Sequence, residues 1–100
     1  MDGTIERPSD LSPTPRPAAR VQLTGELDLA AFERTRNLLV QADAGAGVIV
    51  DLSAVTFIDS SGLRALIEAR NQVELTLSGV PESVQRVLEI TGLHDYFARS

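Results

Sequence analysis

Between Val21 and Leu93, short apolar stretches of strand character alternate three times with longer stretches of helical spacing. That alternation admits few folds. Val21-Gln22-Leu23-Thr24 alternates apolar and polar residues, as a strand with one solvated face does. Gly25-Glu26-Leu27-Asp28 comes next as a turn, with Asp28 placed to cap the next helix. That helix carries Phe32, Leu39 and Val40 on an apolar stripe, with Leu29 and Thr35 or Arg36 between, and stops at Ala44-Gly45-Ala46-Gly47. Val48-Ile49-Val50 is an uninterrupted β-branched run, the pattern of a strand buried on both faces of a parallel sheet. Asp51-Leu52-Ser53-Ala54 loosens that strand before a second apolar run, Val55-Thr56-Phe57-Ile58. A second helix begins at Asp59-Ser60-Ser61-Gly62, with Leu63, Leu66 and Ile67 on one face and Ala65 and Ala69 allowing close packing. Val73 to Ser78 alternates as a third strand. Pro81 stands where a first-turn proline is tolerated, Val84, Val87 and Leu88 form the buried face of a third helix, and Gly92 stops it with Leu93 behind.

Strand, helix, strand, helix, strand, helix describes one α/β domain over residues 21–100, a mainly parallel sheet with helices packed on it. Four of the five prolines fall in residues 1–20, which reads as a flexible N-terminal tail.

Composition removes whole classes of chemistry. All nine basic residues are Arg, so no lysine Schiff base or phosphate-loop lysine is available. Without Cys there is no thiolate nucleophile, disulfide or cysteine-bound zinc. One His and scattered carboxylates have no metal-ligand spacing. A net charge of -5 opposes binding to nucleic acid, which needs a basic face. No apolar run approaches the roughly 20 residues that span a bilayer, and the first residues are acidic and polar, so a cytoplasmic protein without membrane insertion is expected.

The most informative segment is Phe57-Ile58-Asp59-Ser60-Ser61-Gly62-Leu63. A strand ends, a carboxylate and two hydroxyls occupy the turn, and a helix starts at once. Backbone N–H groups and the positive end of the helix dipole favour an anion there. A phosphate on either serine would add about -1.5 to -2 charges beside the Asp59 carboxylate. A plain helix cap would use the same residue types. A hydrolase assembled from Ser60 or Ser61, His94 and an aspartate lacks the Gly-x-Ser-x-Gly elbow, and His94 falls after Gly92-Leu93, beyond the last helix.

Three blocks in order resemble the STAS domain family, and within it the bacterial anti-sigma-factor antagonists. They are Leu23-Thr24-Gly25-Glu26-Leu27-Asp28-Leu29, the stretch from Val48 through Leu63, and Val87-Leu88-Glu89-Ile90-Thr91-Gly92-Leu93. The resemblance implies a non-enzymatic partner switch. Ser61, or as second choice Ser60, would be phosphorylated by an anti-sigma-factor serine kinase, supported by Asp59 and Asp28. The unphosphorylated chain would bind that kinase and the phosphorylated chain would be released. ATP would belong to the kinase, and no cofactor to this chain. The implied docking face comprises Gly25, Glu26, Asp28, Asp59, Ser60, Ser61, Gly62, Leu63, Arg64 and Ile67. A regulatory subunit of a bacterial lipid-transport ABC system, or a STAS scaffold that is not phosphorylated, is the alternative within the same resemblance. Family members usually carry a further strand where this chain is Pro-rich, and a longer Leu63-to-Leu75 segment.

Overall fold

The computed structural model describes residues 17–100. Strand β1 (Ala19–Leu27) leads through a 3-10 turn (Leu29–Ala31) into helix α1 (Phe32–Ala42). Strand β2 (Val48–Ile58) is followed by helix α2 (Ser60–Arg70), strand β3 (Leu75–Ser78), helix α3 (Glu82–Ile90) and a two-residue strand β4 (Ala98–Arg99). The sheet order is β1-β2-β3-β4 and every pairing is parallel. The α/β class and the parallel sheet read from the sequence are what the structure has. The fourth strand is not legible in the sequence: two residues carry no periodicity, and only their pairing with Thr76 and Leu77 makes them a strand.

Several boundaries differ from the sequence reading. β1 begins at Ala19, two residues inside the segment read as tail; the rest of that reading, residues 1–16, lies outside the described residues. Gly25, Glu26 and Leu27 belong to β1 rather than to a turn. β2 is one strand of 11 residues, and the loosening at Asp51–Ala54 is a change of register within it. Gln22 pairs with Asp51 but Thr24 with Ala54; Gly25 pairs with Val55 but Glu26 with Phe57. β2 therefore carries one extra residue at each of two bulges, each of which bends the strand. At the first bulge the Asp51 carboxylate accepts the Ser53 N–H at 2.9 Å, satisfying a group that the ladder loses.

The bulges also set which side chains are buried. Val48, Val50 and Leu52 alternate inward; beyond them the inward positions are Val55 and Ile58, each three residues on. With Leu23, Leu27, Leu75 and Leu77 they face Leu39 of α1, Leu63 and Leu66 of α2, and Val84 and Leu88 of α3 in one core. Among the described residues the helices cover a single face of the sheet. The Val48–Val50 run is thus not buried on both faces: Ile49 is only half-buried, and its row across the sheet is Arg20, Ile49, Thr76 and Ala98. The third strand is shorter than read, because Val73 lies in the turn whose N–H groups bond back to the end of α2.

α3 ends as its sequence implies. Gly92 N–H bonds to the Glu89 carbonyl at 3.1 Å and Leu93 N–H to the Leu88 carbonyl at 2.7 Å, a Schellman motif with Gly92 at φ +76°. The Tyr96 and Phe97 rings meet edge to face at 5.2 Å, and Phe97 is buried in the core.

Candidate functional site

β1 and β2 end side by side and in the same manner. Leu27 pairs with Ile58, and each is followed by an aspartate in extended conformation, Asp28 at φ -123°, ψ -170° and Asp59 at φ -117°, ψ -170°. Each aspartate caps the helical turn after it. Asp28 Oδ1 accepts the Ala31 N–H at 3.2 Å, and Asp59 Oδ1 accepts those of Ser61 at 2.8 Å and Gly62 at 3.1 Å. Asp59 does more: its N–H donates to the Leu27 carbonyl at 3.2 Å and its carbonyl accepts the Leu63 N–H at 3.0 Å. One residue therefore closes the strand pair and opens the helix.

Gly62 brings these two ends together. A Cβ on Gly62 would sit 2.0 Å from the Leu27 carbonyl oxygen and 2.7 Å from Leu27 Cβ. Only a residue without a side chain lets the first turn of α2 lie against the end of β1. The consequence is a small surface with Asp28 and Asp59 on adjoining strand ends, Ser60 exposed and Ser61 half-buried at the first two positions of α2.

The anion-favouring character read from the helix start has a specific tenant. The Ser61 and Gly62 N–H groups bind the Asp59 carboxylate, so the negative charge at this terminus is the chain's own. Neither serine hydroxyl is engaged by another described residue. A phosphate on Ser61 would sit beside a filled cap instead of filling an empty one.

The remaining residues of the docking face that the resemblance implies sort by exposure. Glu26 is exposed and lies beside Phe57; Gly25 is half-buried, with φ +76°, opposite the second bulge. Leu63 is 5% exposed and Gly62 is buried against Leu27, so these two support the face from beneath and are not on it. Ile67 is half-buried and packs against the core. Arg64 is exposed, its Nε bonded to Glu68 Oε2 at 3.1 Å, while Arg36 of α1 holds Glu68 Oε1 at 3.0 Å. Both guanidiniums lie near the Phe32 ring, at 5.3 Å for Arg36 and 5.6 Å for Arg64. The Arg36 hydrogen bond holds the Glu68 carboxyl below its ordinary value; burial opposes it, and Arg64 adds a lesser lowering.

Two residues beside the turn are not singled out by the sequence. Leu29 is 74% exposed and Phe57 is 48% exposed, both apolar and both flanking the aspartate caps. Leu29 reads as part of a helical stripe and Phe57 as part of a strand core. The signal that could have singled out Phe57 is the spacing of Val55 and Ile58, which leaves it off the inward phase. His94 comes after α3 and precedes β4, at the opposite end of the sheet from the turn, where it contacts Asp95 at 3.4 Å. It forms no triad with Ser60 or Ser61.

Residues 13–99 match the family model described as the STAS domain. The chain is 31% identical over 80 residues to a Listeria monocytogenes protein named anti-sigma-B factor antagonist, covering 73% of this chain and 70% of that one. It is 32% identical over 82 residues to a Staphylococcus aureus protein of the same name, covering 75% and 76%. Among solved structures it resembles the anti-sigma factor antagonist SpoIIAA in its unphosphorylated form, with a TM-score of 0.66 and 25% identity over 81% of this chain and 77% of that one. No helix among the described residues is long and apolar enough to cross a membrane.

Proposed function

This chain belongs to the STAS domain family, and on that premise we propose that it is an anti-sigma-factor antagonist of the partner-switching kind. The observation that carries the reading is the junction of β2 and α2. Gly62 locks the Asp59-Ser60-Ser61 turn against the end of β1, so that two hydroxyls and two carboxylates share one partly exposed rim. A rim held this firmly presents one shape to a partner, and a covalent change on it alters charge without altering the fold.

In this proposal the unphosphorylated chain binds an anti-sigma-factor serine kinase in the cytoplasm through Glu26, Asp28, Asp59, Ser60, Ser61 and the exposed start of α2. The kinase supplies ATP; its γ-phosphoryl group passes to the Ser61 hydroxyl oxygen, the hydroxyl proton is lost and ADP leaves. The new dianion puts extra charge and bulk where the partner's surface had been fitted to a neutral hydroxyl, and the complex dissociates. The chain itself performs no catalysis. Curated relatives at 31% and 32% identity carry the antagonist name, which supports this reading over a transporter subunit.

Incubation with the cognate kinase and ATP, followed by mass spectrometry, tests it. Phosphate is expected on Ser61. If the partner binds and neither serine is ever phosphorylated, the switch is wrong and only a binding module remains.

A further inference from the structure

A phosphate on Ser61 would stand among carboxylates, with Asp59 capping the same turn and Asp28 on the neighbouring strand end. Arg64 lies three residues beyond Ser61 and four beyond Ser60, the spacing at which helix side chains share a face. The other basic residue of α2, Arg70, is at the far end of the helix, where it covers the Tyr96 ring at 4.1 Å. On α1, Arg36 is held by Glu68, and Arg34 lines a cavity of about 130 Å³ with Gln22, Leu23 and Thr35 beside β1.

Glu68 is bound twice, and its two partners differ. The Arg36 side chain is 27% exposed and its ion pair bridges α1 to α2, whereas that of Arg64 is 72% exposed and makes its ion pair within its own helix, its guanidinium 5.6 Å from the Phe32 ring of α1. Losing Arg64 leaves Glu68 still paired; losing Arg36 would break the link between helices. We propose that Arg64 is the receiver of the phosphoserine: on modification of Ser61 its guanidinium leaves Glu68 and pairs with the phosphate, while Arg36 keeps Glu68. This rests on the Ser61 reading above. A dianion with three acceptor oxygens outcompetes a carboxylate that already has a second arginine. The exchange moves a positive charge toward the N-terminus of α2 and away from the middle of the helix, so both charges that a partner meets on this rim change together.

The test installs phosphoserine at position 61 by genetic code expansion, so that no kinase is needed, and follows the phosphate by ³¹P NMR from about pH 5 to pH 8. The second ionisation is expected roughly 0.2–0.7 units lower in the otherwise wild-type chain than in Arg64→Gln, as suits an exposed ion pair. In Glu68→Gln, where Arg64 has no rival, it should be as low as in the wild type or lower. Equal ionisation in the wild-type and Arg64→Gln chains overturns the proposal, as does a Glu68→Gln chain that behaves like Arg64→Gln. A positive result here with no kinase-borne phosphate on Ser61 would retain the receiver and sink the switch.

Discussion

Two helices leave the carboxyl ends of neighbouring strands, and they start differently. Between β2 and α2 stands one residue, Asp59, bonded to Leu27 of β1 and to α2, and capping two N–H groups. Between β3 and α3 the chain takes three, Gly79-Val80-Pro81, and Pro81 provides no side-chain cap. The first junction is pinned to β1 through Gly62; the second approaches β2 chiefly through Asp51 and Ser53 side chains beneath Gly79. The contrast teaches where a surface switch can be built. A modified hydroxyl reports to a partner only if its position is held before and after modification, and α2, not α3, begins in that way.

The largest expected effect is at Gly62. An exposed helical Gly→Ala change would normally stabilise by about 1 kcal/mol. Here the added methyl meets backbone at 2.0 Å, and Gly62→Ala should instead destabilise by more than about 3 kcal/mol in urea unfolding. The matching change at the other junction, Gly79→Ala, meets an aspartate side chain at 2.7 Å with φ +63° and should cost about 1–2 kcal/mol. Equal losses would erase the distinction.

Second come the caps. Asp59→Ala removes the acceptor of two N–H groups and should destabilise by about 1–2 kcal/mol, while Pro81→Ala should stay within about 0.5 kcal/mol. Third is partner binding. Ser61→Asp should weaken kinase binding by roughly tenfold, about 1.4 kcal/mol, and Ser61→Ala should retain it. Calorimetry that finds both variants bound alike would remove electrostatic gating from the α2 junction.

The smallest effect is a pH dependence. Glu68 has its folded carboxyl lowered from the ordinary value of 4.5, first by the Arg36 hydrogen bond. A lowered value contributes stability that is present above about pH 4.5 and lost as the pH falls through the folded value. Glu68→Gln should therefore be less stable than wild type near neutrality, with the gap in urea midpoint closing on acidification.

Much of this contrast is legible in the chain, but unevenly. Asp59 and Asp28 announce themselves as caps because capping is local, decided by a side-chain oxygen within three residues of its donors. Leu63 reads as part of the docking face and is buried, because its turn faces β1 and not solvent. Phe57 reads as strand core and is half exposed, because the second bulge, just after Val55, passes the inward position on to Ile58.

By itself, then, the sequence determined the order of the first three strands and the helices, their mainly parallel arrangement and the aspartate-led turn, all written in periodicities and caps a few residues long. Only the tertiary structure decided that Gly62 rests on Leu27, that the sheet is covered on one face, and that Glu68 is shared by arginines from two helices. Each of these depends on a partner far along the chain, as Arg36 is 32 residues from Glu68. No local pattern carries such a pairing, since it exists only once the strands have chosen their neighbours and register.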